Sequence, residues 1–402
     1  MDKKYDVIII GAGIVGLAAA LQIVKRKPQS KILILEKEIS VAAHQTGHNS
    51  GVLHSGLYYK PGSLKAKNCV EGYALMVNFC REHGVKHDIC GKIVVATQDG
   101  ERAQLTTLHE RGIANGLSGI RKLSSGELRE IEPHVAGVEG LFVPQTGIVD
   151  YTEVSEKMKE LLLNHGADIR FGEKVIDIVP SSTQSTVQTN VSSYQASLIV
   201  SCAGLHSDRV ARLTMPDLPL RIIPFRGEYY TLKKEKNYLV KNLIYPVPDP
   251  AFPFLGVHFT RMISGGVEAG PNAVFALKRE GYHRTSIDLN DLWESISWPG
   301  FHVVAKKYWR TGLGEYYRSF SKSAFTGALQ KLIPEIQQDD LVQGGSGVRA
   351  QACDRDGGLL DDFFITEKDS VVHVCNAPSP AATSSLSIGS YIAENAIRRI
   401  GA

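Results

Sequence analysis

Three glycines near the N-terminus, Gly11, Gly13 and Gly16, have the spacing GxGxxG. They stand between an apolar, β-rich run and a helical run. Such glycines permit a tight turn there and let the pyrophosphate of a dinucleotide reach the helix N-terminus. Glu36 follows Gly16 by 20 residues, where a carboxylate can accept hydrogen bonds from an adenosine ribose. The spacing predicts a dinucleotide site with these contacts: Gly11, Gly13, Ile14, Val15, Gly16, Glu36 and Lys37.

Two later segments decide between NAD and FAD. The apolar run 198–202 ends in a second turn of small residues that can approach a cofactor. The loop 376–383 leads directly into the last helical run, so its N–H groups and the helix dipole can meet the pyrimidine oxygen of a flavin. Each segment alone is typical of a buried strand or an N-capped helix, but together with the glycine turn they favour FAD. The further predicted contacts are Val175, Ala203, Gly204, Pro380, Ala381, Ala382, Thr383 and Ser384.

Periodicity and capping residues predict the elements that position these turns. Strands at 5–10 and 31–35, with a helix at 14–27 between them, form a βαβ unit. Ser63 is a candidate N-cap for a helix that stops at Gly84, and Ser124 with Glu127 forms a capping box. Further strands are predicted at 91–96, 168–171, 174–179, 186–191, 197–201, 221–233, 256–261, 266–268 and 371–375, and further helices at 100–115, 151–165 and 384–399.

The chain has 402 residues, which is too long for one hydrophobic core. Residues 219–341 are richer in aromatic residues and proline and are predicted to form an antiparallel sheet. The predicted fold is therefore α/β, with a Rossmann-like FAD-binding domain and an interleaved antiparallel-sheet substrate domain. The predicted FAD-binding domain comprises 1–75, 148–215 and 345–402, and the substrate domain comprises 76–147 and 216–344.

Composition excludes several classes of protein. Lys and Arg total 45 against 42 for Asp and Glu, and the basic residues are scattered, so nucleic acid is not expected as a partner. The six cysteines form no CxxC pair, so neither disulfides nor a metal site is expected. The apolar run 7–24 is interrupted by glycines, which favours a strand and helix over a signal peptide. We expect a cytoplasmic protein without a transmembrane helix.

Several longer motifs resemble a known family. They are HQTGHNSGVLHSGLYY at 44–59, PFRGEY at 224–229, GPNAV at 270–274, GVRAQA at 347–352 and NAPSPAATSS at 376–385. Over nearly the whole chain the sequence resembles the L-2-hydroxyglutarate dehydrogenases and oxidases. That family lies within the superfamily of D-amino-acid oxidase, glycine oxidase and glycerol-3-phosphate dehydrogenase. One departure is Cys353, where an aliphatic residue is expected.

The resemblance implies non-covalently bound FAD and oxidation of a 2-hydroxy dicarboxylic acid, with electrons passed to a quinone or to oxygen. In this family pattern Arg349 corresponds to the arginine that binds the substrate carboxylate. His54 is expected to be the base because its segment passes beside the flavin, and imidazole titrates near working pH. His258 is the alternative base. The loop residues expected to surround FAD are Thr46, His48, Asn49 and Ser50.

A glutarate skeleton also needs a group that binds its second carboxylate. Cations or amide donors could bind it, and tyrosine hydroxyls could assist, although aromatic residues on strands are more often packing residues. The sequence does not rank the candidates, which are Arg226, Asn272, Lys278, Tyr58, Tyr59 and Tyr230.

Other interpretations remain open at this point. The protein could oxidise an amino acid or glycerol 3-phosphate, or it could be a flavoprotein scaffold that only binds a partner. Residues 297–310 combine two tryptophans with three cations, which suits a peripheral membrane contact of an enzyme that reduces a quinone. The same segment is also typical of an amphipathic helix that packs on its own domain, which is the interpretation we favour.

Overall fold

A computed structural model describes residues 3–249 and 256–400. In chain order the strands are β1 (Lys3–Ile10), β2 (Ile32–Leu35), β3 (Val52–Leu53), β4 (His87–Asp88), β5 (Lys92–Ala96), β6 (Arg121–Ser124), β7 (Glu139–Val143), β8 (Gly147–Val149), β9 (Asp168–Arg170), β10 (Val175–Val179), β11 (Ser185–Thr189), β12 (Ser193–Ser201), β13 (Leu220–Leu232), β14 (Leu243–Pro246), β15 (His258–Arg261), β16 (Val267–Gly270), β17 (Val274–Phe275), β18 (Leu341–Asp354), β19 (Phe364–Lys368) and β20 (Val371–Asn376). The helices are α1 (Ile14–Arg26), α2 (Leu64–Glu82), α3 (Arg102–Ala114), α4 (Ser125–Ile131), α5 (Tyr151–Asn164), α6 (Ser207–Arg212), α7 (Leu289–Ile296), α8 (Pro299–Phe320), α9 (Lys322–Gln330) and α10 (Ser385–Ile400).

The first sheet has eight strands, and β1 lies at its centre. The strand order is β10-β11-β12-β1-β2-β9, with β20 on β12 and β19 on β20. Pairing is parallel between β1, β2, β9, β12 and β20. The side chains of residues 7–10 of β1 are buried on both faces, as expected for a central parallel strand, and α1, α5 and α10 pack on one of these faces. The predicted βαβ unit is present.

Helix α2 packs on the layer that the first sheet forms with α1, α5 and α10. Ser63 caps it by accepting a hydrogen bond from Ala66 N, and the chain leaves the helix through Gly84 at φ +69°. Met76 and Phe79 lie in the same core as α1 and α10. The domain boundary predicted at residue 75 therefore falls inside a helix of the first layer.

The second sheet has nine strands in the order β17-β13-β16-β15-β14-β5-β7-β6, with β18 on β13. The pairing of β13 with β18 is antiparallel and runs from Leu220 opposite Asp354 to Leu232 opposite Leu341. Residues 345–354, predicted to belong to the FAD-binding domain, thus lie in the second sheet. A small three-stranded sheet, β3-β8-β4, is formed by segments of the chain that run between the two larger sheets.

The two faces of the second sheet differ in character. Ile93, Ile244, Phe259 and Tyr230 belong to an apolar core on one face, which Phe325 of α9 also joins. Because successive residues on a strand point to opposite faces, Lys92, Tyr245, His258 and Tyr229 point to the other face. That face carries the polar groups described below. No helix within residues 3–249 and 256–400 has both the length and the apolarity of a membrane span.

Candidate active site

The glycine turn forms a cradle between β1 and α1. Gly11 has φ +104°, and a Cβ there would lie 2.5 Å from the carbonyl oxygen of Cys202. Gly13 precedes α1 without any side-chain cap, so the first N–H groups of the helix are left for other partners. One of these, Ile14 N, donates to Thr46 Oγ1 at 3.1 Å. This arrangement fits a pyrophosphate at the helix N-terminus.

Glu36 lies beside this turn at the end of β2. Its carboxylate is buried and accepts hydrogen bonds from Ala12 N at 2.7 Å and from Glu38 N at 2.9 Å. Val175 opens β10 close by, since Glu173 N donates to Glu36 O at 2.9 Å. The structure thus brings together the predicted ribose acceptor, the glycine turn and Val175.

Lys37 points into an ion cluster. Its Nζ contacts Glu38, Glu280 at 2.6 Å and His44 Nε2 at 2.9 Å. Burial alone would lower the pKa of Lys37, but its hydrogen bonds to Glu280 and Glu38 raise the pKa. Glu38, His44 and Glu280 are close enough together to hold a metal ion, yet the Lys37 ammonium already bonds to both carboxylates.

The second turn of small residues meets the first. Cys202 N donates to Ile10 O at 2.8 Å, and the chain then turns at Ala203 and Gly204. Gln45 lies between this turn and the second sheet, because its Nε2 is next to Gly204 and its Oε1 accepts from Ala350 N at 3.0 Å. Asn49 holds the predicted FAD loop together, because its Nδ2 donates to the Gln45 and Thr46 carbonyl oxygens. His48 of the same loop stacks on Tyr282 with ring centroids 4.1 Å apart, and Ser50 is half-buried.

The third predicted segment, 376–385, lies against the segment that carries His54. Thr383 Oγ1 accepts from His54 N at 3.2 Å and pairs with Tyr151 Oη at 2.7 Å. The hydroxyls of Ser384 and Ser385, where α10 begins, are buried and have no hydrogen-bond partner within the described residues. The structure places Pro380, Ala381 and Ala382 in the preceding turns. Unpartnered donors at a helix N-terminus fit a polar ligand such as the flavin or its ribityl chain.

His54, whose side chain is half-buried, lies in a pocket whose neighbouring groups are positively charged. Burial lowers the pKa of its imidazole to about 3, and the nearby charges of Lys92, His258, Arg349 and Lys65 add to this effect. His54 was expected to titrate near working pH. The pocket instead keeps the ring neutral, because burial and the neighbouring cations both oppose its protonation.

His258 lies in the same pocket. Its pKa is also lowered to about 3, by burial first and then by Arg349 and Lys92. Tyr245 stacks on it with ring centroids 4.0 Å apart, and Nδ1 lies 2.9 Å from Gly256 O. A neutral imidazole facing a carbonyl at Nδ1 must carry its proton there, so Nε2 holds the basic lone pair.

Arg349 completes the pocket from β18. It pairs with Phe225 across the sheet, and its charge acts on His54, His258, Tyr229 and Tyr245. The structure thus brings together both predicted histidines and the predicted carboxylate-binding arginine. Tyr58 and Tyr59 also lie here: the Tyr58 ring contacts Lys92, and the Tyr59 ring contacts Lys65.

The other predicted substrate residues lie elsewhere. Arg226 pairs with Val348, one position from Arg349, so its side chain points to the opposite face of the sheet. There it bonds to Glu228 Oε1 at 2.9 Å. Asn272 is also bonded to Glu228, and Tyr230 packs on Phe325. Lys278 lies near Asp288 and is not among the charges that act on either pocket histidine.

Sequence reasoning missed Lys92. The sequence predicts only a strand at 91–96, whereas Lys92 in that strand is 1% exposed and lies in the pocket with His54 and His258. Alternation along the predicted strand would have placed Lys92 on the same face as Val94 and Ala96, as a buried cation in need of a partner.

Comparison with known proteins agrees with this site. A family model described as FAD dependent oxidoreductase matches residues 6–395. L-2-hydroxyglutarate dehydrogenase from Indibacter alkaliphilus is 59% identical over 98% of this chain and 99% of its own, and the enzyme of that name from Escherichia coli K12 is 44% identical over 96% and 92%. L-α-glycerophosphate oxidase from Mycoplasma pneumoniae with FAD bound superposes with a TM-score of 0.80 at 22% identity, covering 100% of this chain and 95% of that one.

These similarities confirm the predicted α/β fold and FAD as the cofactor. The glycine cradle and the unpartnered serine hydroxyls give that cofactor a suitable site. The chain belongs to the FAD-dependent oxidoreductase family and, within it, to the L-2-hydroxyglutarate dehydrogenases.

Proposed function

We propose that this protein catalyses the FAD-dependent oxidation of L-2-hydroxyglutarate to 2-oxoglutarate. The observation that carries the proposal is the pocket that brings the half-buried Arg349 and His54 together with the buried His258. A guanidinium can bind a carboxylate, and a neutral imidazole can take a hydroxyl proton. These are the two groups that oxidation of a 2-hydroxy acid requires, and relatives at 59% and 44% identity carry that activity in their name.

Arg349 binds the carboxylate next to the reacting carbon. Its fork of N–H donors fixes the plane of that carboxylate and thereby orients the neighbouring Cα–H and hydroxyl groups. FAD, when bound, supplies the acceptor for the hydride that leaves Cα. The residues proposed to hold it are those of the two small-residue turns, of the loop around Thr46 and Asn49, and of the start of α10.

His54 takes the proton of the substrate hydroxyl. The ring is neutral at working pH, and its backbone is anchored to Thr383 in the segment proposed to meet the flavin. His258 is the alternative base, since its Nε2 lone pair is available and the contact at Nδ1 fixes the ring. We assign the proton transfer to His54 and a hydrogen bond to the hydroxyl or carboxylate to His258.

The two sheets divide this work. The first sheet, with α1, α2, α5 and α10, forms the FAD-binding domain, and the polar face of the second sheet covers the substrate. The proposed division follows the predicted one except at α2 and at residues 345–354 of β18.

Turnover with a soluble dye as acceptor tests the proposed activity. The FAD-loaded protein is offered L-2-hydroxyglutarate, D-2-hydroxyglutarate, L-glutamate, sarcosine and glycerol 3-phosphate, and the 2-oxo product is quantified. We expect turnover of L-2-hydroxyglutarate with equimolar 2-oxoglutarate. Preferred turnover of an amino acid or of glycerol 3-phosphate would refute the proposal, and no turnover of any substrate would favour a scaffold role.

The electron acceptor is proposed to be a quinone reached at a membrane surface. Helix α8 exposes an apolar stripe, defined by Trp309, Leu313, Tyr317 and Phe320, whose exposed fractions are 55%, 61%, 66% and 72%. These residues lie opposite the buried Val304, Glu315 and Ser319. Tryptophan and tyrosine favour the lipid headgroup region, so the stripe suits peripheral contact with a bilayer.

Only part of the predicted membrane segment carries this stripe. Trp298 is 4% exposed, and its indole donates to Cys353 O at 3.1 Å, so it is a core residue. Lys306, Lys307 and Arg310 are exposed next to Trp309 and can attract anionic lipid. The packing interpretation thus holds for Trp298, and we propose membrane contact only for the exposed part of the segment.

Sedimentation with anionic liposomes tests this contact. We expect the wild type to co-sediment at low salt and to be released by Leu313→Ser with Phe320→Ser, or by exchange of Lys306, Lys307 and Arg310 for Glu. Turnover with a soluble dye should persist in both variants. Wild type that stays in the supernatant would refute the membrane contact, and a concentration-dependent dimer lost in the Leu313→Ser, Phe320→Ser variant would assign the stripe to a second copy.

A further inference from the structure

Lys92 is a buried cation for which the described part of the chain offers no counter-ion. It opens β5 and is 1% exposed, and within the described residues no carboxylate lies at ion-pair distance from its Nζ. Its Nζ lies 4.4 Å from the ring centroid of Tyr58 and 4.9 Å from that of Tyr245. Burial lowers the pKa of the ammonium to about 7. Because a buried unpaired charge destabilises a fold, such a residue calls for a functional explanation.

Lys92 lies across the pocket from Arg349. The strand order from one cation to the other is β18-β13-β16-β15-β14-β5, and His258 stands on β15 between them. Both cations act on His54 and on His258. The second sheet therefore offers a positive charge on each side of His258, and both charges also act on His54.

A second group near Lys92 also lacks a partner. The Tyr58 hydroxyl is buried, and no hydrogen-bond partner for it exists within the described residues. Its ring is the nearer of the two that flank the ammonium. A buried hydroxyl and a buried ammonium in one place can be satisfied together by an anion with two oxygens.

We propose that Lys92, assisted by the Tyr58 hydroxyl, binds the carboxylate of the substrate that is distal to the reacting carbon. The proposal rests on the proposed function and names the determinant of its substrate class, an acid with a carboxylate at each end. Arg349 binds one carboxylate and Lys92 the other, so that the hydroxyl-bearing carbon is held beside the histidines. Arg226, Asn272 and Lys278, the candidates from the sequence, lie outside this pocket.

Selectivity follows from the unpaired charge. A dicarboxylate provides the counter-ion that Lys92 lacks, whereas a 2-hydroxy monocarboxylate of equal length would leave the ammonium buried and unpaired. Removing one partner of a desolvated charge pair typically changes affinity by about 100-fold. For two acids of similar size, the difference in affinity that arises from pocket volume alone is far smaller, about 10-fold.

The test compares wild type with Lys92→Met, which keeps the length of the side chain and removes its charge. kcat/KM is measured with L-2-hydroxyglutarate and L-2-hydroxypentanoate, and the affinities of glutarate and pentanoate are measured from the spectral change of the bound flavin. We expect Lys92→Met to lose about 100-fold in kcat/KM and affinity for the two dicarboxylates. The kcat/KM of this variant for L-2-hydroxypentanoate and its affinity for pentanoate should be unchanged or higher than those of the wild type.

Lys278→Met is the matched comparison, because it removes a lysine that the structure places near Asp288 instead. It should keep the wild-type preference for dicarboxylates. Selectivity retained in Lys92→Met, or lost in Lys278→Met, would overturn the proposal, as would an equal fall in kcat for both hydroxy acids, which would make Lys92 the base. Should Lys92→Met fail to fold, Lys92→Gln replaces it.

The two proposals fail differently. Wild type that binds glutarate far more tightly than pentanoate but does not oxidise L-2-hydroxyglutarate would refute the proposed activity and leave the role of Lys92 standing. Wild type that oxidises L-2-hydroxyglutarate with an undiminished preference after Lys92→Met would refute only the role of Lys92.

Discussion

His54 and His258 stand where burial lowers the pKa of both imidazoles to about 3, so neither ring carries a charge at working pH. The pocket cations reinforce this effect. A neutral imidazole next to a bound carboxylate can accept a proton immediately, without first losing one. Burial thus supplies the neutral form from which a base acts, and a bound substrate carboxylate, by offsetting the pocket cations, would raise the pKa of the rings toward the range in which a base is effective.

Arg349→Ala should abolish flavin reduction by L-2-hydroxyglutarate while FAD stays bound. Loss of a charge-assisted pair in a desolvated pocket costs roughly 2–5 kcal/mol, which corresponds to a loss of about 100-fold or more in kcat/KM. Anaerobic stopped-flow absorbance measures the reduction, and the flavin spectrum measures FAD content. Arg310→Ala, which removes an exposed arginine, serves as the control, and near-normal substrate affinity in Arg349→Ala would remove Arg349 from the site.

His54→Asn should slow flavin reduction by about 100-fold or more with a smaller effect on substrate affinity, because a general base acts in the chemical step. His258→Asn should affect affinity more than the reduction rate. Single-turnover kinetics over a range of substrate concentrations separates the two quantities. The reverse pattern, with only His258→Asn slowing reduction, would make His258 the base.

Binding of glutarate should weaken as the pH rises above about 7. The pKa of Lys92 is lowered to about 7 by burial, so the ammonium is charged below that pH and neutral above it, and a dianion binds only the charged form well. Burial raises the pKa of Tyr58, Tyr245 and Cys69 above this range. A pH series of spectral titrations measures the effect, and the same pH dependence in Lys92→Met would assign it to another group.

At the scale of elements, capping residues and alternation made much of the fold predictable. Ser63, the Ser124–Glu127 capping box and Asp150 start helices where the sequence placed them. Strand β18 was missed because Gly344, Gly345 and Gly347 lower its strand propensity, and only its pairing with β13 makes it a strand.

Site residues on the second sheet were harder to predict, because their positions also depend on how strands distant in sequence pair with one another. Arg226 and Arg349 are both arginines on strands, but only the register of β13 against β18 decides that they point to opposite faces. Lys92 belongs to the pocket because β14 and β15 bring Tyr245 and His258 beside it. The roles of the motifs around the first sheet could be predicted without knowing the register of any strand pair, because these roles follow from turns formed by residues that are close in sequence.

Glu36→Ala should weaken FAD retention by about 10-fold or more. The change removes the proposed ribose acceptor and leaves the buried Ala12 N–H without its partner. FAD content after gel filtration and the affinity of the apoprotein for added FAD measure the effect. Glu160→Ala, at an exposed position on α5, is the control, and full FAD retention by Glu36→Ala would contradict the proposed role of Glu36.

At the scale of the whole molecule, the active site exists only where the two sheets meet. His54 comes from a segment tied to the first layer through Thr383, whereas Lys92, His258 and Arg349 come from three strands of the second sheet. Neither sheet alone provides both the proposed base next to the FAD and the cations proposed to bind the substrate carboxylates. The proposed α8 contact with a membrane would leave this pocket intact while bringing the enzyme to a quinone.

Anaerobic reduction of the bound flavin tests the central claim most directly. FAD-loaded protein is mixed without oxygen or dye, in separate experiments, with L-2-hydroxyglutarate, its D-enantiomer, L-glutamate, sarcosine and glycerol 3-phosphate, and loss of flavin colour is followed. Rapid and complete bleaching by L-2-hydroxyglutarate alone, with one equivalent of 2-oxoglutarate formed per flavin, is the predicted result. Flavin that keeps its colour with L-2-hydroxyglutarate, or that bleaches faster with any of the other compounds, would contradict the proposed function.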